Sequence, residues 1–315
     1  MGTTWSVKLV ADAGKLPDLE RSIQAELDLV VAQMSTWEPS SNLCRFNAAA
    51  ADSWHSLPQE FFRVLQYALQ VARESGGAYD PTAGALVNAW GFGPTQGYGD
   101  AGFSAPDEAQ LASALAVCGW QAVDVEENAG RVRQPGGVCL DLSAIAKGFG
   151  VDQVARRLLH LGVDSFLVEI GGELRGEGVK PDGQPWWVAL EQPLSDAPSP
   201  AGQAAIVEGD IAVALYGWSI ATSGDYRRYF ESNRRRYSHT IDPRHGRPIS
   251  NGLAAVTVLH RECMAADAWS TALGVLGAEE GCALANRLGL CALFVRRERG
   301  CLVETLSAPL AALLE

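Results

Sequence analysis

The sequence predicts an α+β fold, mostly antiparallel sheets flanked by helices. Strand-like runs outnumber helical ones, and many consecutive runs are separated by hairpin-length turns. The regular strand–helix alternation of a doubly wound sheet is missing. With no clean linker and no internal repeat, a single interwoven domain over residues 1–315 is expected. Apolar residues make up 47% of the chain and charged residues 20%, which supplies a core and excludes general disorder.

The chain opens Met1-Gly2-Thr3-Thr4-Trp5 and passes directly into a strand, with no basic or apolar leader visible. Leu19, Ile23, Leu27, Val30, Val31 and Met34 then recur at helical spacing, and the polar run 35–42 breaks that helix. A second amphipathic helix is predicted over 58–74. Pro58 suits its first turn and Ser75-Gly76-Gly77 ends it. Glycines and prolines crowd residues 84–102, which read as a long loop. Within it, Gly91-Phe92-Gly93-Pro94-Thr95-Gln96-Gly97 lacks the spacing and the flanking strand and helix of a dinucleotide fingerprint. A helix at 107–117 precedes strands at 121–125, 130–133 and 138–140, and residues 144–161 form the next helix. Residues 166–170 are a buried strand ending at Gly171-Gly172. Strands follow at 186–191, 204–208, 211–215, 218–222, 226–230 and 237–241, with a hairpin turn at 231–234. A strand at 253–259 feeds a helix at 264–276, and a helix, two strands and a short terminal helix complete the chain.

Lys and Arg total 25 against 37 acidic residues, a net charge of −12, which excludes a general nucleic-acid binder because phosphates need a basic field. No run approaches the ~18 consecutive apolar residues of a membrane span. The seven cysteines lack a Cys-x-x-Cys pair and the five histidines lack His-Glu-x-x-His. A disulfide framework, a zinc ribbon and a zinc hydrolase are therefore not expected, and the cysteines read as small buried hydrophobes.

Three segments have the residue types for chemistry. Asp141-Leu142-Ser143-Ala144-Ile145-Ala146-Lys147-Gly148 joins a strand to a helix through small residues. Backbone N–H groups at such a helix start suit an anion, and Lys147, one to two turns in, could reach the same anion. Asp141 as a plain N-cap is the alternative. Asp267 and Thr271 stand at i and i+4 on a helix, so their oxygens share a face and suit a hard cation such as Mg2+. So few ligands imply a phosphorylated molecule completing the shell, whereas a solvated helix face is the alternative. His239 sits on a strand leaving a hairpin, either as a base or as a satisfied polar residue. Arg227, Arg228, Arg234, Arg235 and Arg236 surround that hairpin and read as a solvated edge.

Eight segments together resemble the ApbE family, the FAD:protein FMN transferases. They are MGTTWSV, MSTWEPSSNLCRFN, GGAYDPTAGALVNAWGFGP, DLSAIAKGFGVD, EIGGELRGEG, SIATSGDYRRYF, YSHTIDPRHGRPI and ADAWSTALGVLG, in the family's order from residue 1 to about 277. The resemblance implies a T-fold-like architecture and an enzyme with FAD as substrate. Its FMN half would pass to a Thr or Ser hydroxyl of an acceptor flavoprotein, with release of AMP. It further implies Mg2+ held by the side chains of Asp267 and Thr271 and the backbone oxygen of Ala144. Met1, Trp37, Ala78, Tyr79, Asp80, Asp141, Lys147 and Ile241 match FAD-contacting positions, and His239 matches a histidine that assists transfer. Some members carry a second acid one residue before the metal-binding threonine, where this chain has Ser270. The family implies an exported, periplasmic and often lipid-anchored protein acting on a membrane-bound redox subunit. A start at Met1, already inside the first motif, fits a removed leader.

The chemistry agrees with that resemblance. Pyrophosphate cleavage needs its accumulating charge neutralised, and a high-pKa hydroxyl needs a base. Trp37 and Tyr79 are flat groups suited to ring packing. Two rival functions use the same residues: a Mg2+-dependent FAD pyrophosphatase with water as acceptor, and a non-catalytic FAD-binding protein or flavoprotein oxidoreductase. The intact Asp267/Thr271 pair weighs against the second.

Overall fold

The run Phe-Leu-Val-Glu-Ile at 166–170 is too apolar to lie at a sheet edge, and the computed structural model pairs it on both sides. The structure describes residues 2–190, 211–225, 228–232, 235–298 and 301–314. Phe166–Ile170 lies between Trp5–Leu9 and Glu173–Glu177 in a seven-stranded sheet that continues through Trp218–Gly224, Leu253–His260, Cys291–Glu298 and Cys301–Leu306. Every neighbouring pair is antiparallel, as expected of the α+β class.

Two compact units make up the chain, each assembled from separated segments. The one that holds the large sheet comprises residues 2–26, 147–226 and 251–315. Its strand Leu253–His260 is buried at every position but the last, because both faces are covered, so its sequence is continuously apolar rather than alternating. The long helix Cys263–Leu288 packs across this strand and Trp218–Gly224. Gly277, at φ 85° and ψ 176°, breaks that helix in a conformation natural only to glycine. This is why the helical pattern read at 264–276 stops there.

Glu173–Glu177 is a strand that hydrophobic patterning misses, since Glu-Leu-Arg-Gly-Glu is largely polar. Turn chemistry marks it instead. Gly171 and Gly172 have φ of 61° and 98°, and Ile170 pairs with Glu173, the geometry of a two-residue hairpin. Glu173 is thereby fixed as the first residue of the returning strand.

The other unit contains residues 27–146 and 227–250. The helix expected over 58–74 is Gln59–Glu74, with Pro58 as its N-cap rather than in its first turn. Ser53–Ser56, Arg131–Gln134 and Val125–Glu126 form a three-stranded sheet, and a 3-10 turn at Trp120–Ala122 replaces most of the strand expected at 121–125. The expected loop at 84–102 contains the helix Gly84–Ala89. Gly84 is there for close approach, not for a turn: a Cβ would lie 2.6 Å from the Cys139 carbonyl oxygen, to which Gly84 N–H donates at 2.9 Å. Beyond that helix, Phe92, Tyr98 and Phe103 pack around Phe230 of the hairpin Tyr229–Ser232/Arg235–Ser238. The strand expected at 204–208 and the turn residues 233–234 lie outside the described residues. All seven cysteines are free; Cys263 and Cys291 are buried, whereas Cys301 is exposed and does not fit the buried-hydrophobe expectation.

Candidate active site

The start of the long helix is held by a side chain from another helix. Asp152, on Ala146–His160, accepts Cys263 N–H at 3.0 Å and Met264 N–H at 2.9 Å, satisfying two donors that a helix start leaves open. Burial pushes the Asp152 carboxyl upward, while these two bonds and Arg175, 2.9 Å away, pull it back. Gly148 of the same helix then lets the two backbones touch. A Cβ there would stand 2.3 Å from the Cys263 carbonyl oxygen and 2.8 Å from Asp267 Cβ.

That approach fixes Asp267, whose Oδ2 accepts Gly148 N–H at 2.9 Å. Asp267 is 3% exposed, so the solvated-face alternative is wrong. Its Oδ1 lies 3.6 Å from Lys147 Nζ, and the Lys147 ammonium donates to Glu173 Oε1. One turn on, Thr271 Oγ1 is 2.9 Å from Ser223 Oγ, which also meets Ser270 Oγ at 2.9 Å. Ser270 donates back to the Asp267 carbonyl at 2.9 Å, a buried hydroxyl bond at the position where some family members carry an acid. Glu173 and Ser223 belong to this centre and were not singled out from sequence. The Gly171-Gly172 turn was the one signal pointing to Glu173.

The Asp141 segment differs from expectation. Its helix begins at Ala146, so Lys147 lies in the first turn, and Asp141 is not its N-cap. Asp141 Oδ1 accepts Ser143 N–H at 2.7 Å in a local turn, and the N–H groups of Ile145 and Ala146 both donate to Leu142 O. With Gly148 N–H committed to Asp267, most of the presumed anion cradle is paired within the protein.

Among the other named residues, Asp80 accepts Thr82 N–H at 2.8 Å, Thr82 Oγ1 at 2.6 Å and Trp120 N–H at 3.0 Å. Burial raises its carboxyl and these bonds oppose the rise. Ala78 and Tyr79 are buried, with Tyr79 only 4% exposed, and Ile241 is buried where it pairs with Pro248. Trp37, at 57% exposure, is an open aromatic surface. Ala144 is half-buried in the turn before the helix, and Met1 lies outside the described residues. His239 Nδ1 is 2.9 Å from the Arg228 carbonyl oxygen. A carbonyl only accepts, so Nδ1 carries the hydrogen and Nε2 is the basic nitrogen of the neutral ring. Of the arginine cluster, Arg236 lies over the Tyr229 ring at 3.7 Å, while Arg227, Arg234 and the Arg235 side chain lie outside the described residues.

In chemical terms the Asp267 centre offers hard oxygens from a carboxylate and a hydroxyl, beside one ammonium. Among the described residues no three His, Cys, Asp or Glu gather as a transition-metal site would require. A sparse oxygen-only set fits Mg2+, which keeps water and substrate oxygens in its shell.

Fold and centre together give an α+β protein with a buried carboxylate beside a half-buried lysine. The ApbE family model matches residues 1–294. The FAD:protein FMN transferase of Vibrio cholerae is 40% identical over 290 residues, 91% of this chain and 82% of that protein. The protein of the same name from Haemophilus influenzae is 37% identical over 316 residues, 98% and 88% of the respective chains. The apo crystal structure of the Pseudomonas stutzeri flavinyl transferase ApbE matches with a TM-score of 0.87 at 40% identity, covering 99% of this chain and 94% of that one. The chain belongs to the ApbE family.

One prediction arises from the helix contact. Gly148→Ala places a methyl against backbone that cannot rotate away. Overpacking of this kind costs about 1–3 kcal/mol or more, so the melting temperature should fall by several degrees. A variant melting with the wild type would show that the two helices can separate without cost.

Proposed function

We propose that this protein is a Mg2+-dependent FAD:protein FMN transferase. The acceptor's Thr or Ser oxygen attacks the FMN-side phosphorus of FAD and forms the phosphoester. The pyrophosphate bond to the adenylate side breaks, and AMP leaves with the bridging oxygen. The observation that supports this best is the buried Asp267 carboxylate, held by Gly148 N–H with Lys147 beside it, in a chain whose relatives carry that name. Asp267 and Thr271 would hold Mg2+, which when bound supplies positive charge to the phosphate oxygens. Lys147 adds a second positive charge, Trp37 provides a face for a flat ring, and His239 Nε2 takes the hydroxyl proton. Ala144 as a further oxygen donor, and FAD contacts at Met1, Ala78, Tyr79, Asp80, Asp141 and Ile241, belong to the same proposal. So does a single functional domain over residues 1–315.

The proposal includes a periplasmic location, with a lipid anchor on the precursor and a membrane-bound redox subunit as acceptor. No helix among the described residues is long and apolar enough to cross a membrane.

The test incubates FAD and Mg2+ with and without an acceptor protein, measuring AMP, free FMN and flavin bound to protein by mass spectrometry. Transfer predicts AMP matched by bound flavin and dependent on acceptor. Equal AMP without acceptor, with FMN set free, would make it a pyrophosphatase. Tight FAD with no AMP and no response to Mg2+ would make it a flavin carrier.

A further inference from the structure

Glu173 takes no part in the reaction just described, yet it is only 1% exposed beside Asp267 and Lys147. A buried carboxylate is tolerated when an opposite charge and hydrogen bonds compensate it. Glu173 opens its strand immediately after the Gly171-Gly172 turn, with its backbone paired to Ile170, so its position is set by the hairpin. Lys147 therefore faces two carboxylates held by rigid elements. Its ammonium is hydrogen-bonded to Glu173 Oε1, whereas Asp267 Oδ1 at 3.6 Å is beyond hydrogen-bond length. Asp267 cannot readily turn toward the lysine, because its other oxygen is tied to Gly148 N–H. The asymmetry comes from Glu173.

We infer that Glu173 is a positioning residue. By binding the Lys147 ammonium it keeps that charge off Asp267 Oδ1, leaving this oxygen for a divalent cation. The inference rests on Asp267 being a cation ligand. Without the Glu173 charge, Lys147 still has Asp267 Oδ1 at 3.6 Å, and the ammonium then competes with the cation for that oxygen. Lys147 has two jobs that conflict unless something holds it: it must be near the phosphate charge, and it must not neutralise the metal's carboxylate.

The test is Mn2+ binding to the full chain without FAD, read as free Mn2+ by electron paramagnetic resonance, with melting curves for every variant. Glu173→Gln keeps the volume and an acceptor oxygen but loses the charge. Its Mn2+ affinity should fall on the order of tenfold, the scale of one charged hydrogen bond exchanged between partners. Lys147→Met removes the ammonium that Glu173 already holds aside, so its affinity should equal or exceed that of the wild type. In that background, adding Glu173→Gln should change affinity by less than about twofold, because the effect runs through the lysine. An unchanged affinity in Glu173→Gln would overturn the inference. So would the same loss in the double variant, which would mean that Glu173 acts on the cation directly. If Glu173→Gln does not fold, Lys147→Met still decides: weaker Mn2+ binding there means that Lys147 is no competitor. These outcomes are independent of AMP release, so failure of the transferase reading would leave them intact.

Discussion

Asp267→Asn should release AMP from FAD at least ~10²-fold more slowly than the wild type while melting within a few degrees of it. The two readouts separate because Asp267 has two duties on two oxygens. Oδ2 accepts Gly148 N–H and ties the helix Cys263–Leu288 to Ala146–His160, a bond that an asparagine oxygen can keep. Oδ1 faces Lys147 and is the proposed cation ligand, where loss of charge cannot be replaced by shape. Asp267→Ala should lose both, adding roughly 1–3 kcal/mol of destabilisation for the stranded N–H. Neither variant should regain activity with excess Mg2+ to more than a small fraction of wild type. AMP release within a few-fold of wild type in Asp267→Asn would sink the metal assignment.

Much of this centre is legible in sequence because its parts lie on regular elements. The i, i+4 pair Asp267/Thr271 needs only the helix expected over 264–276. What sequence cannot supply is the partner of each oxygen. Asp267 reads equally well as a solvated residue until Gly148 is seen to admit Cys263 at backbone distance. Ser223 and Glu173 come from strands far along the chain, and neither has a local pattern that points toward Thr271 or Lys147.

Two of the departures in the fold turn on the double meaning of glycine. Gly84 falls in the loop expected at 84–102, yet it lies in a helix and serves contact with Cys139. The strand 166–170 ends at Gly171-Gly172 as expected, but the same two glycines also turn the chain straight into a strand that the patterning misses. The helix expected at 264–276 ends where Gly277, at φ 85°, breaks the helical backbone. Turn chemistry and close packing use the same residue, and only the surrounding backbone says which is meant. The N-cap alternative for Asp141 fails for a related reason. An Asx turn to Ser143 and a helix N-cap use the same aspartate oxygen, and a shift of a few residues in the helix start decides between them.

His239→Ala should cut FMN transfer by ~10²–10⁴-fold, the usual contribution of a general base, while FAD affinity changes by a few-fold at most. The hydrogen bond from Nδ1 to the Arg228 carbonyl orients the ring and sets its tautomer, leaving Nε2 to accept a proton. Phe92 meets the same ring edge-on at 6.3 Å, which supports that orientation. A base must be neutral to act, so wild-type transfer should decline as acid protonates imidazole, and the alanine variant should lack this acid limb. His239→Gln gives the control for packing, since it restores much of the bulk and a polar side chain without a basic nitrogen. If His239 only fills space, glutamine should recover the rate and both variants should keep the wild-type pH profile. If it is the base, glutamine should recover the melting temperature but not the rate. Measuring protein-bound flavin between about pH 5.5 and 8.5, together with melting curves, distinguishes the two roles. Near-normal transfer by His239→Ala with an unchanged acid limb would remove this residue from the mechanism.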